Sequence, residues 1–212
     1  MSAPDDQLRD LLSRTGALLD GRRRAVLGIC GPPGAGKSRL AEQVLGHVGP
    51  EAVLVPLDGF HLQDDLLAAR GRLDHKGAPD TFDARGYTVL LRHIREHPED
   101  IVYAPAFDRD RELSLACAIP VEPDHRLVVT EGNYLLLDEP EWRDVRALLD
   151  ECWFLTGDDE LRRERLVGRH VRHGRTPEAA RAWVRDTDEP NARLVAATAG
   201  RADLVLDAAL LP

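Results

Sequence analysis

The sequence predicts an α/β fold of three layers, a mainly parallel central sheet with helices on both faces. Short apolar runs alternate with amphipathic stretches along the chain, the pattern of strands buried between two helical layers. One of these runs, Ala25–Cys30, passes directly into a glycine-rich segment and then into a helical pattern, so a strand, a tight loop and a helix follow one another.

The elements follow in order. Leu8, Leu11, Leu12, Leu18 and Leu19 recur at helical spacing until Asp20-Gly21 breaks the pattern ahead of three arginines, which predicts a leading amphipathic helix. Ala25–Cys30 is the first strand, and a helix is expected over about residues 37–47. A second strand over residues 52–57 ends at Asp58. Residues 70–83 are rich in Gly, Pro and charge and show neither period. They are expected to form a long loop, and such loops in compact domains are commonly functional. A helix over about residues 84–97 precedes strand material at 101–107 and 115–121, separated by the polar stretch 108–112. Residues 127–130 form another strand that runs into Glu131. Residues 153–155 and 204–206 are the last strands, with an arginine-rich helix between them.

Bulk properties narrow the function classes. A chain of 212 residues, 43% hydrophobic, suits one core, so a single domain over residues 1–212 is expected. The net charge of -9 and the lack of a long basic block argue against nucleic acid as the main partner. No run approaches the roughly 18 apolar residues of a membrane-spanning helix. The opening MSAPDDQLRD also lacks the basic-then-apolar order of a signal peptide, so no membrane partner and a cytoplasmic location are expected. Cys30, Cys117 and Cys152 are odd in number, far apart and in or beside apolar stretches, which favours buried free thiols over disulfides.

Gly31-Pro32-Pro33-Gly34-Ala35-Gly36-Lys37-Ser38 has the spacing of a phosphate-binding P-loop. Phosphate needs a ring of backbone N–H donors, and glycines permit the turns that aim them inward. Pro32 and Pro33 have no N–H, so the donors are expected from about Gly34 to Ser38, at the start of a helix whose dipole favours negative charge. Gly31, Gly34, Ala35, Gly36, Lys37, Ser38 and Arg39 are thus the expected ATP contacts. Lys37 would reach the β- and γ-phosphates, and the Ser38 hydroxyl would ligate Mg²⁺.

Asp58, at the carboxyl end of a strand, is a candidate base that orients an acceptor hydroxyl, or else an ordinary turn aspartate beside Gly59. His61 either binds substrate or caps the next helix. Glu131 stands where a strand-borne carboxylate would hold Mg²⁺ or its water shell. Arg162, Arg165 and Arg169 share one helix face and Arg172 and Arg175 continue the series. They form either a lid that neutralises phosphate charge, over about residues 162–180, or a salt-bridged face with Asp159, Glu160 and Glu164. The alternative to an enzyme is a nucleotide-dependent switch, since Asp83-Ala84-Arg85-Gly86 fits a D-x-x-G element. No N-K-x-D element accompanies it.

With these residues in view, the chain resembles the P-loop nucleoside kinase-like group that includes uridine kinase, bacterial-type pantothenate kinase and phosphoribulokinase. Within it, the chain is similar to a pantothenate-kinase-related, fructose-transport-kinase-like subgroup. The likeness spans about residues 24–207. It rests on GPPGAGKS, Leu57-Asp58-Gly59-Phe60-His61, Arg70-Gly71, Lys76-Gly77-Ala78-Pro79-Asp80-Thr81-Phe82-Asp83, Pro105-Ala106-Phe107-Asp108-Arg109, Glu131-Gly132-Asn133-Tyr134 and Asp188-Glu189-Pro190-Asn191-Ala192. The resemblance implies a kinase acting on a small-molecule hydroxyl acceptor, with Asp58 as base, Glu131 near Mg²⁺ and a lid supplying Arg165 and Arg169. It also implies that His61, Lys76, Phe82 and Arg109 line the acceptor pocket, around the loop of about residues 61–83, and that Asn191 lies near the nucleotide base. Related kinases are often homo-oligomers, so a homodimer fits the resemblance. Uridine kinases generally carry an aromatic residue where His61 stands, and the 76–83 loop is not the pantothenate kinase pattern. The acceptor is left open among nucleoside-, pantothenate- and sugar-like metabolites.

Overall fold

The computed structural model describes residues 3–210. Strands β1 (Ala25–Cys30), β2 (Ala52–Leu54), β5 (Leu127–Gly132), β6 (Glu151–Thr156) and β7 (Leu204–Asp207) form a parallel sheet in the order β2-β5-β1-β6-β7. Successive side chains of a strand point to opposite faces, and this divides the core in two. Ala25, Leu27 and Ile29 pack with Val129, Trp153 and Leu155 against α1 (Ala3–Leu19) and α2 (Lys37–Val48), through Leu11, Leu18, Leu40 and Val44. Val26 and Cys30 join Val128 and Phe154 on the opposite face, where Tyr87, Leu91 and Ile94 of α4 (Ala84–Glu96) cover them. The three-layer α/β architecture expected from the alternating pattern is therefore present.

Three local expectations need correction. The second strand stops at Leu54 rather than running to residue 57. Val55 N–H still donates to Val129 O at 2.8 Å, but Pro56 has no N–H to give and the ladder ends there. Leu57–Phe60 then closes as a short 3₁₀ turn, so Asp58 sits on a turn just past the strand.

Residues 70–83 are not a featureless loop. The short helix α3 (Asp64–Ala69) leads into them, and 3₁₀ turns at Leu73–His75 and Pro79–Thr81 shape them. A bridge between His61 and Phe82 draws the two ends together, with Leu62 N–H donating to Thr81 O at 3.0 Å and Asp83 N–H to Phe60 O at 2.8 Å.

The third correction concerns Cys117, which is exposed, while Cys30 and Cys152 are buried; all three are free thiols. β3 (Val102–Asp108) and β4 (Leu113–Val121) pair only with each other, as an antiparallel hairpin outside the main sheet, and the middle of β4 is left uncovered.

The D-x-x-G stretch has a structural explanation. Asp83 is the N-cap of α4, its carboxylate accepting from Gly86 N–H at 2.8 Å. A Cβ at Gly86 would lie 2.2 Å from the Asp83 Oδ2, so glycine leaves room for the cap. Beyond β6, α5 (Asp159–Arg172), α6 (Pro177–Trp183), a π-helical turn at Val184–Asp188 and α7 (Glu189–Ala196) make up the arginine-rich segment expected to act as a lid. No helix among the described residues is long and apolar enough to cross a membrane.

Candidate active site

The carboxyl ends of β1, β2 and β5 open on a cleft of ≈ 1110 Å³, the place where open α/β sheets hold ligands. That volume exceeds what one small ligand usually fills. The parallel register sets Glu131 beside Ile29 and Gly132 beside Cys30, bringing the acid on β5 next to the start of the glycine loop.

The loop is shaped by close packing and by left-handed backbone. Gly34 has φ +80°, and a Cβ there would stand 3.0 Å from Arg162 Cγ and Leu166 Cγ of α5. Gly36 has φ +99° and begins α2, and a Cβ there would meet nothing within 4 Å on the protein. Ala35 N–H donates to Pro32 O at 3.1 Å, inside the loop, so its amide is not free for phosphate as the sequence suggested. The first-turn amides of α2 have no carbonyl one turn back and remain available for an anion.

Lys37 is buried. Its Nζ donates to Gly31 O at 3.0 Å, Pro32 O at 3.1 Å and Asn133 Oδ1 at 2.6 Å. All three are uncharged oxygens. Burial lowers the Lys37 pKa, and the nearby Glu131 carboxylate opposes that shift. A phosphate here would supply the negative charge that the carbonyls lack, so the cradle fits a nucleotide. Ser38 Oγ donates to Glu131 Oε1 at 2.9 Å. Burial and then Asp58 raise the Glu131 pKa, with Lys37 pulling the other way. Among the described residues no cluster of three or more His, Cys, Asp or Glu could hold a metal by itself. A hydroxyl and one carboxylate, both hard oxygen donors, still suit a Mg²⁺ ion that keeps waters and phosphate oxygens as its other ligands.

On the far side of the cleft, Asp58 Oδ2 accepts from Arg109 at 2.5 Å, while its Oδ1 lies 4.0 Å from His61 Nε2. His61 stacks on the buried Phe82 with ring centroids 4.0 Å apart. Lys76 reaches Asp64 at 2.7 Å and Glu112 at 2.8 Å. The expected acceptor-side residues Asp58, His61, Lys76, Phe82 and Arg109 thus come together.

The lid arginines divide into different roles. Arg162 is buried, donates to Pro33 O at 3.3 Å, and pairs with Asp159 and Glu189. It fastens α5 to the glycine loop. Arg169 lines the cleft, and burial lowers its pKa, with Arg109 adding to the effect. Arg165 is exposed and does not line the cleft, a correction to its expected place beside Arg169. One helical face cannot hold three arginines in the same environment when its first turn is packed on the loop and its middle faces solvent. Asn191 also lines the cleft. Its amide donates to Gly77 O at 3.3 Å, which attaches it to the acceptor-side loop.

The sequence reading passed over several members of this site. Asn133 caps Lys37, and its position directly after Glu131-Gly132 was the available signal. Asp64 and Glu112, which hold Lys76, gave none, since they are 48 residues apart in charged surroundings. His170 Nε2 and Asp188 Oδ2 lie 2.7 Å apart, and Arg175 stacks 3.8 Å over the Trp183 ring.

No protein-family model matches the chain. It is 35% identical over 191 residues to the uncharacterised protein YggC of Escherichia coli (strain K12), covering 88% of this chain and 78% of that protein. It is also 35% identical over 187 residues to a candidate uridine kinase of Schizosaccharomyces pombe, covering 82% of this chain and 78% of the relative. A crystal structure of a candidate fructose transport system kinase from Silicibacter sp. TM1040 superposes with a TM-score of 0.86 at 38% identity, over 94% of this chain and 98% of that one. Each of these matches spans more than four-fifths of the chain. The protein accordingly belongs to the P-loop kinase family.

Proposed function

We propose that this kinase transfers the γ-phosphoryl group of ATP to a hydroxyl of a nucleoside-, pantothenate- or sugar-like metabolite. The reading is carried by one observation: Asp58 lines the same cleft as Lys37, Ser38 and Glu131, with Arg109 on one carboxylate oxygen and the other left toward His61. An acceptor hydroxyl hydrogen-bonded to that second oxygen would be aligned for in-line attack, and Asp58 would take its proton. The α2 amides and Lys37 would hold the phosphates, and Arg169 would lie against the charge that develops during transfer. Ser38 and Glu131 would hold Mg²⁺, which when bound neutralises phosphate charge. A reaction that draws on ATP in this way belongs in the cytoplasm. The switch reading gains no support, because its D-x-x-G stretch is the cap of α4.

The test is ADP release with a panel of nucleosides, pantothenate, sugars and glycerate, run beside Asp58→Asn. On whichever acceptor is phosphorylated, the variant is expected to lose about 10²–10⁴-fold in kcat while keeping its nucleotide affinity. A variant as active as the wild type would remove Asp58 from the base role.

A further inference from the structure

The two ends of the cleft differ in charge. Lys37 and Arg39 stand at the glycine loop with Glu131, whereas Asp58, Asp64, Asp74 and Glu112 share the lining with Lys76 and Arg109, and Arg169 lies within the field of both Asp58 and Arg109. Lys76 and Arg109 already have carboxylate partners. Lys76, with its side chain only 12% exposed, is held between Asp64 and Glu112. Arg109 is held by Asp58. His61 adds no positive charge, because burial pushes its pKa down to about 4.

The same end has a flat apolar wall. His61 stacks on Phe82, and its ring lies 4.9 Å from that of Phe107, centroid to centroid. The Lys76 ammonium sits 5.3 Å over the Phe107 ring. A carboxylate or phosphate on an acceptor would meet the four carboxylates Asp58, Asp64, Asp74 and Glu112, with Lys76 and Arg109 already paired and Arg169 assigned to the nucleotide phosphates in the phosphoryl-transfer reading. Like charges brought together at a desolvated site are strongly disfavoured. Hydroxyl groups have the opposite preference. They donate to carboxylate oxygens, while the C–H face of a ring packs on aromatic surface.

We infer that the acceptor is an uncharged polyhydroxyl compound with a flat or apolar face, the chemistry shared by a sugar ring and a nucleoside, and that acidic metabolites are rejected. The inference rests on the phosphoryl-transfer reading and narrows it. Lys76 acts as an internal counter-ion that fixes Asp64 and Glu112 as hydroxyl acceptors. Glu112, on the hairpin turn between β3 and β4, is the specificity-determining residue most easily altered.

The experiment uses matched pairs that differ in charge: pantothenate and pantothenyl alcohol, glycerate and glycerol, glucuronate and glucose, and a nucleoside with its 3′-monophosphate. ADP release gives kcat/KM, and calorimetric titration with a non-hydrolysable ATP analogue present gives binding without turnover. The uncharged member is expected to be preferred by about 100-fold wherever a pair is used, and the sugar and nucleoside arms show which source fits. Glu112→Gln, which leaves Lys76 one carboxylate short, is expected to shrink that preference about tenfold. Equal or better use of the acidic members overturns the inference, as does a panel in which nothing is bound or turned over. Uncharged members that bind without being phosphorylated would uphold it and refute the phosphoryl-transfer reading.

Discussion

His61 is stacked on Phe82 and faces the Asp58 carboxylate, and its Nδ1 is buried without a hydrogen-bond partner. Desolvation is the largest influence on the ring and brings its pKa down from 6.5 to about 4; Asp58 and Glu112 oppose the shift, and Lys76 and Arg109 assist it. The unfolded chain therefore takes up a proton as pH falls from 6.5 toward 4, and the native protein does not. Stability from this residue is present above about pH 6.5 and is lost through that window. His61→Phe keeps the stacking and abolishes the titration. Urea unfolding between pH 7 and pH 4 is expected to show wild type losing about 2–4 kcal/mol more than the variant. Equal losses would show that His61 is not held neutral by the fold. Site residues were legible in the sequence where a motif places them, as Lys37 and Ser38 in the glycine loop and Glu131 at a strand end, which meet in the cleft. They were hidden where the fold chooses the partner, as with Asn133 on Lys37 or the Ala35 amide turned back to Pro32.

Between elements, the Gly77 carbonyl is a junction. Tyr134 donates its hydroxyl to it at 2.5 Å from the loop after β5, and Asn191 donates from α7 at 3.3 Å. The same α7 start holds the lid, since Glu189 pairs with Arg162 and Arg163, and Asp188 in the preceding π turn meets His170. The acceptor-side loop and the lid are therefore braced by one short segment. Asn191→Ala is expected to raise the acceptor KM about three- to tenfold, the value of one hydrogen bond, and to leave the ATP KM nearly unchanged. Initial rates with each substrate varied in turn decide it, and a shift confined to ATP would return Asn191 to the nucleotide side. Strands buried on both faces, such as Ala25–Cys30, were legible because a continuous apolar run has few other uses. Elements of three to six residues were not. The turns at Leu73–His75 and Pro79–Thr81 are too short to show a period, and the β3–β4 hairpin reads like sheet strands although it pairs outside the sheet.

Over the whole molecule, the three layers were legible from the alternation of runs, while the docking of the lid on the glycine loop was not. That docking depends on Arg162, a charged side chain buried against Pro33 O and the Gly34 backbone, where composition predicts solvent exposure. It joins the nucleotide loop, α5 and α7 into one packed unit beside both cores, so a ligand on the loop is expected to stabilise the entire fold. At about 100 times Kd, a non-hydrolysable ATP analogue with Mg²⁺ contributes about 2.7 kcal/mol, which for a chain of this size raises Tm by about 5–10 °C. Lys37→Met separates binding from folding. The lysine is buried and its ammonium is disfavoured by desolvation, but methionine leaves Gly31 O, Pro32 O and Asn133 Oδ1 without their donor, so the unliganded stability is expected to fall by about 1–3 kcal/mol while the chain still folds. The nucleotide-induced rise in Tm should disappear in the same variant, because the phosphates lose their buried cation. Thermal unfolding of both proteins with and without the analogue measures the two effects together. A Lys37→Met protein that keeps the rise would show that the loop amides alone hold the nucleotide, and one that unfolds without ligand would show that Lys37 serves the fold as well as the site.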